Sequence, residues 1–177
     1  MKKSALAGAT LALVMMSGSV LAANSLVAGA MGVNIALTDT GVTPSTTGST
    51  GAFVIKGKYF MAKDLAVIAG FGLGINSGDA KGNDVGFTAG VRKYLKTEDF
   101  APFVGARLDY ASTNDSNTTA TAIVGEAGAE YFLNKQFSLE GRVGLGYQSV
   151  KQTTGNISTT ATRLGTQSLG ISANFYF

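Results

Sequence analysis

The chain has 177 residues, with 14 Lys and Arg against 11 Asp and Glu, and it contains no His, Cys or Trp. Without His or Cys there is no thiol nucleophile, no imidazole base, no Cys/His zinc site and no disulfide framework. Glycine is abundant at 24 residues, proline is scarce at 2 and there is no three-residue period, which excludes a collagen-like chain and points to a β protein.

The first segment reads as an address. Lys2 and Lys3 precede an apolar run from Ala5 to Met16, and small residues follow to Ala22. This is the layout of a secretory signal peptide over residues 1–22, cleaved after Ala22, with Ala23 as the alternative. The apolar run is shorter than the roughly 20 residues a membrane-spanning helix needs. Loss of Lys2 and Lys3 reduces the 14 basic residues to 12 against 11 acidic ones. The basic pI of 9.2 is therefore no argument for nucleic acid, and no Lys/Arg cluster supports that partner.

Residues 23–177 alternate with period two, the signature of strands. Val27, Gly29, Met31, Val33, Ile35 and Leu37 share one face, opposite small or polar residues. Phe53, Ile55, Gly57 and Tyr59 oppose Lys56 and Lys58. Apolar faces recur over Leu65–Ile75, Val85–Val91, Pro102–Tyr110, Ala127–Tyr131, Phe137–Tyr147 and Leu169–Phe177. Several runs approach 10–12 residues, enough for a tilted strand to cross a bilayer and longer than the usual soluble strand. The opposite parity mixes Gly with isolated charges of both signs, as a narrow lumen requires.

The connections give the strand count. Three related segments begin at Lys58-Tyr59, Lys93-Tyr94 and Glu130-Tyr131, each with a polar tip between aromatic or large apolar residues. They read as short turns whose tyrosines stand in an interfacial girdle. Four longer polar segments, Thr40–Thr50, Asn76–Asp84, Ala111–Thr121 and Ser149–Thr162, read as loops. Seven connections make eight antiparallel strands, with both ends on the short-turn side. The expected fold is an all-β, eight-stranded, up-and-down transmembrane barrel over residues 23–177, with the longer loops outside the cell.

The final strand places Leu169, Ile171, Ala173, Phe175 and Phe177 on one face. A terminal strand of this pattern ending in Phe177 resembles the signal read by the bacterial outer-membrane barrel assembly machinery. With the eight alternating segments, the chain from Ala23 to Phe177 resembles the small outer-membrane β-barrel family, of the OmpX/Ail and opacity-protein type and the barrel half of OmpA-like proteins. The resemblance implies residence in a Gram-negative outer membrane and a structural or adhesin-like role. The partners it implies are outer-membrane lipid and lipopolysaccharide, the assembly machinery through Phe177, and a host or envelope surface.

Lys56, Arg92, Arg107, Asp109, Glu126, Glu130, Glu140 and Arg142 fall on the inward parity. An unpaired charge inside a barrel is costly, so they are expected to form ion pairs that close the lumen. The alternative is the lining of a small pore or channel for small solutes or hydrophobic molecules. Glu126 and Glu130 lie on one strand face and are expected to meet Arg and Lys across the lumen rather than act as an acid/base pair. Arg92-Lys93-Tyr94 interrupts the alternation, so a bulge or a snorkelling Lys93 is expected there. Gly70, Gly72 and Gly74 lack phosphate-loop spacing and read as close strand packing. Asp79 and Asp84 lack a defined metal-ligand set. No catalytic, cofactor or metal residue is assigned and no enzyme activity is expected, because barrel hydrolases and acyltransferases generally use a His that this chain lacks.

Overall fold

The computed structural model describes residues 26–39, 53–76, 82–113 and 117–177. The predicted signal peptide, the Thr40–Thr50 loop and Asp79 lie outside the described residues. Eight strands follow in chain order: β1 Met31–Asp39, β2 Phe53–Ala62, β3 Leu65–Asn76, β4 Gly82–Tyr94, β5 Phe100–Thr113, β6 Thr118–Phe132, β7 Phe137–Thr154 and β8 Ile157–Tyr176. Each pairs antiparallel with its neighbour in sequence, and the ring closes. The closing seam runs from Gly32 opposite Tyr176 to Asp39 opposite Gly170. Its lower end is tied by Phe177 N–H donating to the Met31 carbonyl at 3.0 Å.

The alternation resolves into an inside-out distribution. Outward Phe71, Phe87, Leu108, Ile123, Leu145 and Leu169 are exposed, while inward Lys58, Arg92, Glu126, Glu130, Glu140 and Arg142 are buried. A soluble sandwich would reverse this pattern. A lipid-facing barrel requires it, because its outer surface meets hydrocarbon.

Local chemistry sets the turns. Lys63 and Asp64 alone join β2 to β3. Asn134 begins the turn into β7, where its Oδ1 accepts from the backbone N–H groups of Gln136 and Phe137 at 2.9 and 2.8 Å. This is the local bonding by which an Asx side chain stands in for a backbone partner. At the other end of β7, Gly155 adopts φ +61°, the left-handed conformation that lets Gly155 and Asn156 reverse the chain in two residues.

Four expectations are corrected. Residues 27–30 form a turn rather than strand, with Ala30 N–H donating to the Val27 carbonyl and Gly29 at φ +89°. Ser149–Thr162 is a continuous hairpin rather than a loop, because its Ser and Thr residues pair in register across β7 and β8. Most of Ala111–Thr121 likewise belongs to β5 and β6. Tyr94 does not stand in the girdle with exposed Tyr59 and Tyr131; it points inward and is buried. No bulge displaces it, since β4 keeps unbroken register with both neighbours. Lys93 instead points outward and reaches Asp64. This hydrogen bond holds the Asp64 carboxyl below its usual range.

Among the described residues β7 and β8 are the longest strands, with 18 and 20 residues. With a rise of about 3.3 Å per residue and the usual tilt, the β7–β8 hairpin stands roughly 20 Å beyond an apolar band about 25 Å tall. The expected orientation puts this hairpin outside the cell. A Cys replacing Thr159 should be labelled by a membrane-impermeant maleimide on intact cells, and one replacing Asn134 only after permeabilisation; the reverse result would invert the topology.

Candidate functional site

The barrel interior is where charge, burial and convergence of strands coincide. Its ion pairs are built by two carboxylates at the centre. Glu140 of β7 accepts through Oε2 from Lys58 Nζ at 3.2 Å and Arg92 Nη1 at 2.7 Å, and through Oε1 from Arg142 Nη1 at 3.1 Å. Glu126 of β6 takes Arg92 Nε at 2.6 Å and Arg107 Nη1 at 2.8 Å on its two oxygens. Arg107 also donates to Asp109 at 2.9 Å, and Asp109 accepts from Thr88 Oγ1 at 2.6 Å. The Arg92 and Arg107 guanidinium groups thus each bridge two carboxylates, the task for which the planar fork of donors is suited.

Below these pairs, Glu130 is fully buried and ringed by side-chain donors. Its Oε2 accepts from Lys58 Nζ at 2.9 Å and Tyr94 OH at 2.7 Å. Its Oε1 accepts from Ser138 Oγ, Tyr176 OH and Asn174 Nδ2. Five donors from four other strands therefore meet at one carboxylate. A buried charge is tolerated when its lone pairs are met in this way. On the β1 side, Asn34 Nδ2 donates to Ser172 Oγ and Asn174 Oδ1 at 2.8 and 2.6 Å, carrying the network across the closing seam.

The short-turn end of the barrel is filled by a layer of rings. Phe60, Tyr94, Phe103, Phe132 and Tyr176 pack with centroid separations of 5.4 to 6.1 Å between neighbours. Leu26, from the segment before β1, is fully buried in the same cluster. Tyr94 and Tyr176 belong to both layers, turning their hydroxyls to Lys58 and Glu130 and their rings to the apolar cluster. The Arg92 guanidinium carbon lies 4.0 Å from the Phe103 ring centroid, a cation–π contact between the layers.

The strands supply space as well as charge. A Cβ at Gly70 would lie 2.7 Å from Lys56 Cγ and 2.6 Å from Thr88 Cγ2. One at Gly105 would lie 2.6 Å from the Val91 carbonyl oxygen and 3.0 Å from Arg92 Cγ. These glycines are required because long charged side chains cross in front of them. The expectation of close packing at Gly70 is met.

All eight residues placed inward by parity are inside the barrel. Seven of them, Arg92, Arg107, Asp109, Glu126, Glu130, Glu140 and Arg142, join one network with Lys58, and Lys56 is buried above them. Glu126 and Glu130 do meet Arg and Lys across the lumen. The parity reading missed Lys58, Tyr94 and Tyr176 as members. Lys58 shares the parity of Lys56 and was legible on that ground. Tyr94 shares the parity of Arg92, but its place in a repeated turn motif masked this.

A model of the outer membrane protein beta-barrel domain matches residues 8–177. The chain belongs to this family. The family places the barrel in the bacterial outer membrane. Among solved structures it is similar to the outer membrane protein OprG from Pseudomonas aeruginosa, with a TM-score of 0.55 and 12% identity over 85% of this chain and 96% of that one. It is also similar to outer membrane protein AlkL in lipid bilayers, with a TM-score of 0.54 and 15% identity over 90% and 94% of the two chains. The N-terminal barrel domain of Pseudomonas aeruginosa OprF matches with a TM-score of 0.50 and 14% identity over 85% and 98%. At these identities the shared property is the fold. No curated protein matches the chain in sequence.

Among the described residues, no group of three or more Asp or Glu side chains is arranged to hold a metal ion. Removing one partner from the centre should leave buried cations uncompensated. Glu140→Ala is expected to lower unfolding free energy by about 3–5 kcal/mol, read by urea titration in lipid vesicles. Lys93→Ala, which breaks only the exposed turn pair, should scarcely move the midpoint.

Proposed function

We propose that this outer-membrane barrel is a non-enzymatic, non-conducting anchor that displays its β7–β8 hairpin outside the cell for structural or adhesin-like contacts. The observation that carries this reading is a tall polar hairpin standing on a filled barrel. Ion pairs from β2, β4, β5, β6 and β7 span the lumen, and the ring layer lies beneath them. Inward positions stay buried up to Ala120 and Thr118 on β6, toward the extracellular end. A small pore would need a continuous water path past both layers. Eight strands leave room for side chains and little else.

The hairpin supports the surface role through its composition. From Lys151 to Leu164 it carries Ser, Thr, Asn and Gln, with Lys151 and Arg163 as its cations. Nearly every residue of this stretch is exposed. The absence of His supports the non-enzymatic part, since it removes the usual base of lipid-modifying barrels.

Purified barrel added to planar bilayers is expected to be silent; stepwise conductance would favour the small-pore alternative. A variant with Thr153–Ser158 replaced by Asn-Gly should keep heat-modifiable migration on gels and reach the outer membrane. Cells expressing it should adhere to host-cell or abiotic surfaces less than cells expressing the intact chain, and equal adherence would remove the surface role.

A further inference from the structure

The wall of the barrel does not complete the ring layer at the short-turn end. Phe60, Tyr94, Phe103, Phe132 and Tyr176 come from five strands. The other three strands include small residues directly opposite these rings. Gly32 of β1 pairs with Tyr176, Ala66 of β3 with Phe60, and Ser138 of β7 with Phe132. The Tyr176 ring occupies the space at Gly32, where a Cβ would lie 2.6 Å from Tyr176 Cε1. The Ser138 hydroxyl is turned to Glu130. Leu26, which belongs to no strand, supplies further apolar bulk. It is fully buried in the cluster that holds the rings, Ala66 and Ala101.

A hook over residues 26–30 carries Leu26 there. Ala30 N–H donates to the Val27 carbonyl at 3.2 Å, and Gly29 sits at φ +89°, a conformation that favours glycine. Val27, Ala28 and Gly29 are exposed, whereas Leu26 turns back into the barrel. The backbone of the hook is tied to the wall at Phe60. Gly29 N–H donates to the Phe60 carbonyl at 2.8 Å, and Phe60 N–H donates to the Ala30 carbonyl at 3.0 Å. The wall is held far more extensively: β3 alone pairs with β4 from Leu65 opposite Lys93 to Asn76 opposite Gly82. A segment held by one buried side chain and one wall residue belongs to the low end of local stability.

We propose that residues 26–30 are a releasable stopper for the short-turn mouth, with Leu26 leaving and re-entering the ring layer while the wall stays folded. Release breaks the two bonds to Phe60 and opens the space beside Ala66 to water at that mouth. The lumen stays closed above, because the ion pairs at Glu126 and Glu140 join β2, β4, β5, β6 and β7 to one another. The two layers therefore differ in kind: the ion pairs are built into the wall, and the ring layer is completed by a detachable part. This device lies at the opposite end from the β7–β8 hairpin and does not depend on the surface role proposed for it.

Hydrogen exchange of the folded barrel in detergent micelles, followed by NMR, reads the opening directly. The Gly29 and Phe60 amides should exchange faster than those of Tyr94 and Phe132, which donate to the Asp64 and Asp99 carbonyls at the same mouth. Leu26→Ala should speed Gly29 and Phe60 by roughly 30-fold and leave Tyr94 and Phe132 unchanged. Gly29→Ala should speed the same two amides roughly fivefold through backbone conformation alone, since its Cβ would meet nothing within 4 Å. The chain has no Cys, so a single introduced thiol gives a second readout. Ala66→Cys should react slowly with a cationic methanethiosulfonate and faster when combined with Leu26→Ala; Ala120→Cys, far up the lumen, should react at one rate in both backgrounds. Gly29 and Phe60 amides exchanging no faster than Tyr94 and Phe132, or a Leu26→Ala substitution accelerating all four alike, would overturn the proposal.

Discussion

Closure of β8 onto β1 is the constraint on which the rest depends. In hydrocarbon no water is present to satisfy a backbone N–H or carbonyl, so a spanning sheet with a free edge is excluded. The seam from Gly32 opposite Tyr176 to Asp39 opposite Gly170 removes that edge. Closing at eight strands also fixes the interior width. That width lets interdigitated side chains fill the interior. Polar residues on the inward parity are then forced to find partners among themselves.

The charge network answers that demand. Lys58, Arg92 and Arg107 reach Glu126, Glu130 and Glu140 across strands, while Arg107–Asp109 and Arg142–Glu140 pair along a single strand. Desolvating so many ions is expensive, so the arrangement contributes little net stability compared with an apolar core. Its consequence is specificity, because the loss of any one member strands its partners. The ring layer beneath gives Tyr94 and Tyr176 fixed rings from which their hydroxyls reach Glu130. Glycines such as Gly105 keep the wall thin where Arg92 passes.

The outer surface follows a different logic, because its solvent changes along the barrel axis. Hydrocarbon accepts Ile123 and Leu164 without cost, while the neighbouring row of Thr121 and Thr162 needs polar surroundings. The transition is sharp because the rows are held by ladder hydrogen bonds rather than by side-chain preference. At 18 and 20 residues, β7 and β8 carry the polar part of their hairpin beyond the apolar band.

The sequence by itself determined the strand number, the inside-out parity and eight interior charges, because a strand's faces repeat every two residues and that period survives in one dimension. It also marked the short turns, where Lys63-Asp64 and Asn134 interrupt apolar segments. Only the tertiary structure decided who pairs with whom. Lys58 meets Glu130 and Glu140 through ring closure, across 72 and 82 residues of chain. It decided that Tyr94 belongs inside, since strand register outranks a recurring turn motif. It decided that Ser149–Thr162 is hairpin rather than loop, because Ser and Thr serve loops and strand ladders alike and only a partner in register tells them apart. The outward rows on β5–β8 were equally hidden, since a row perpendicular to the strands exists only once four separate segments lie side by side.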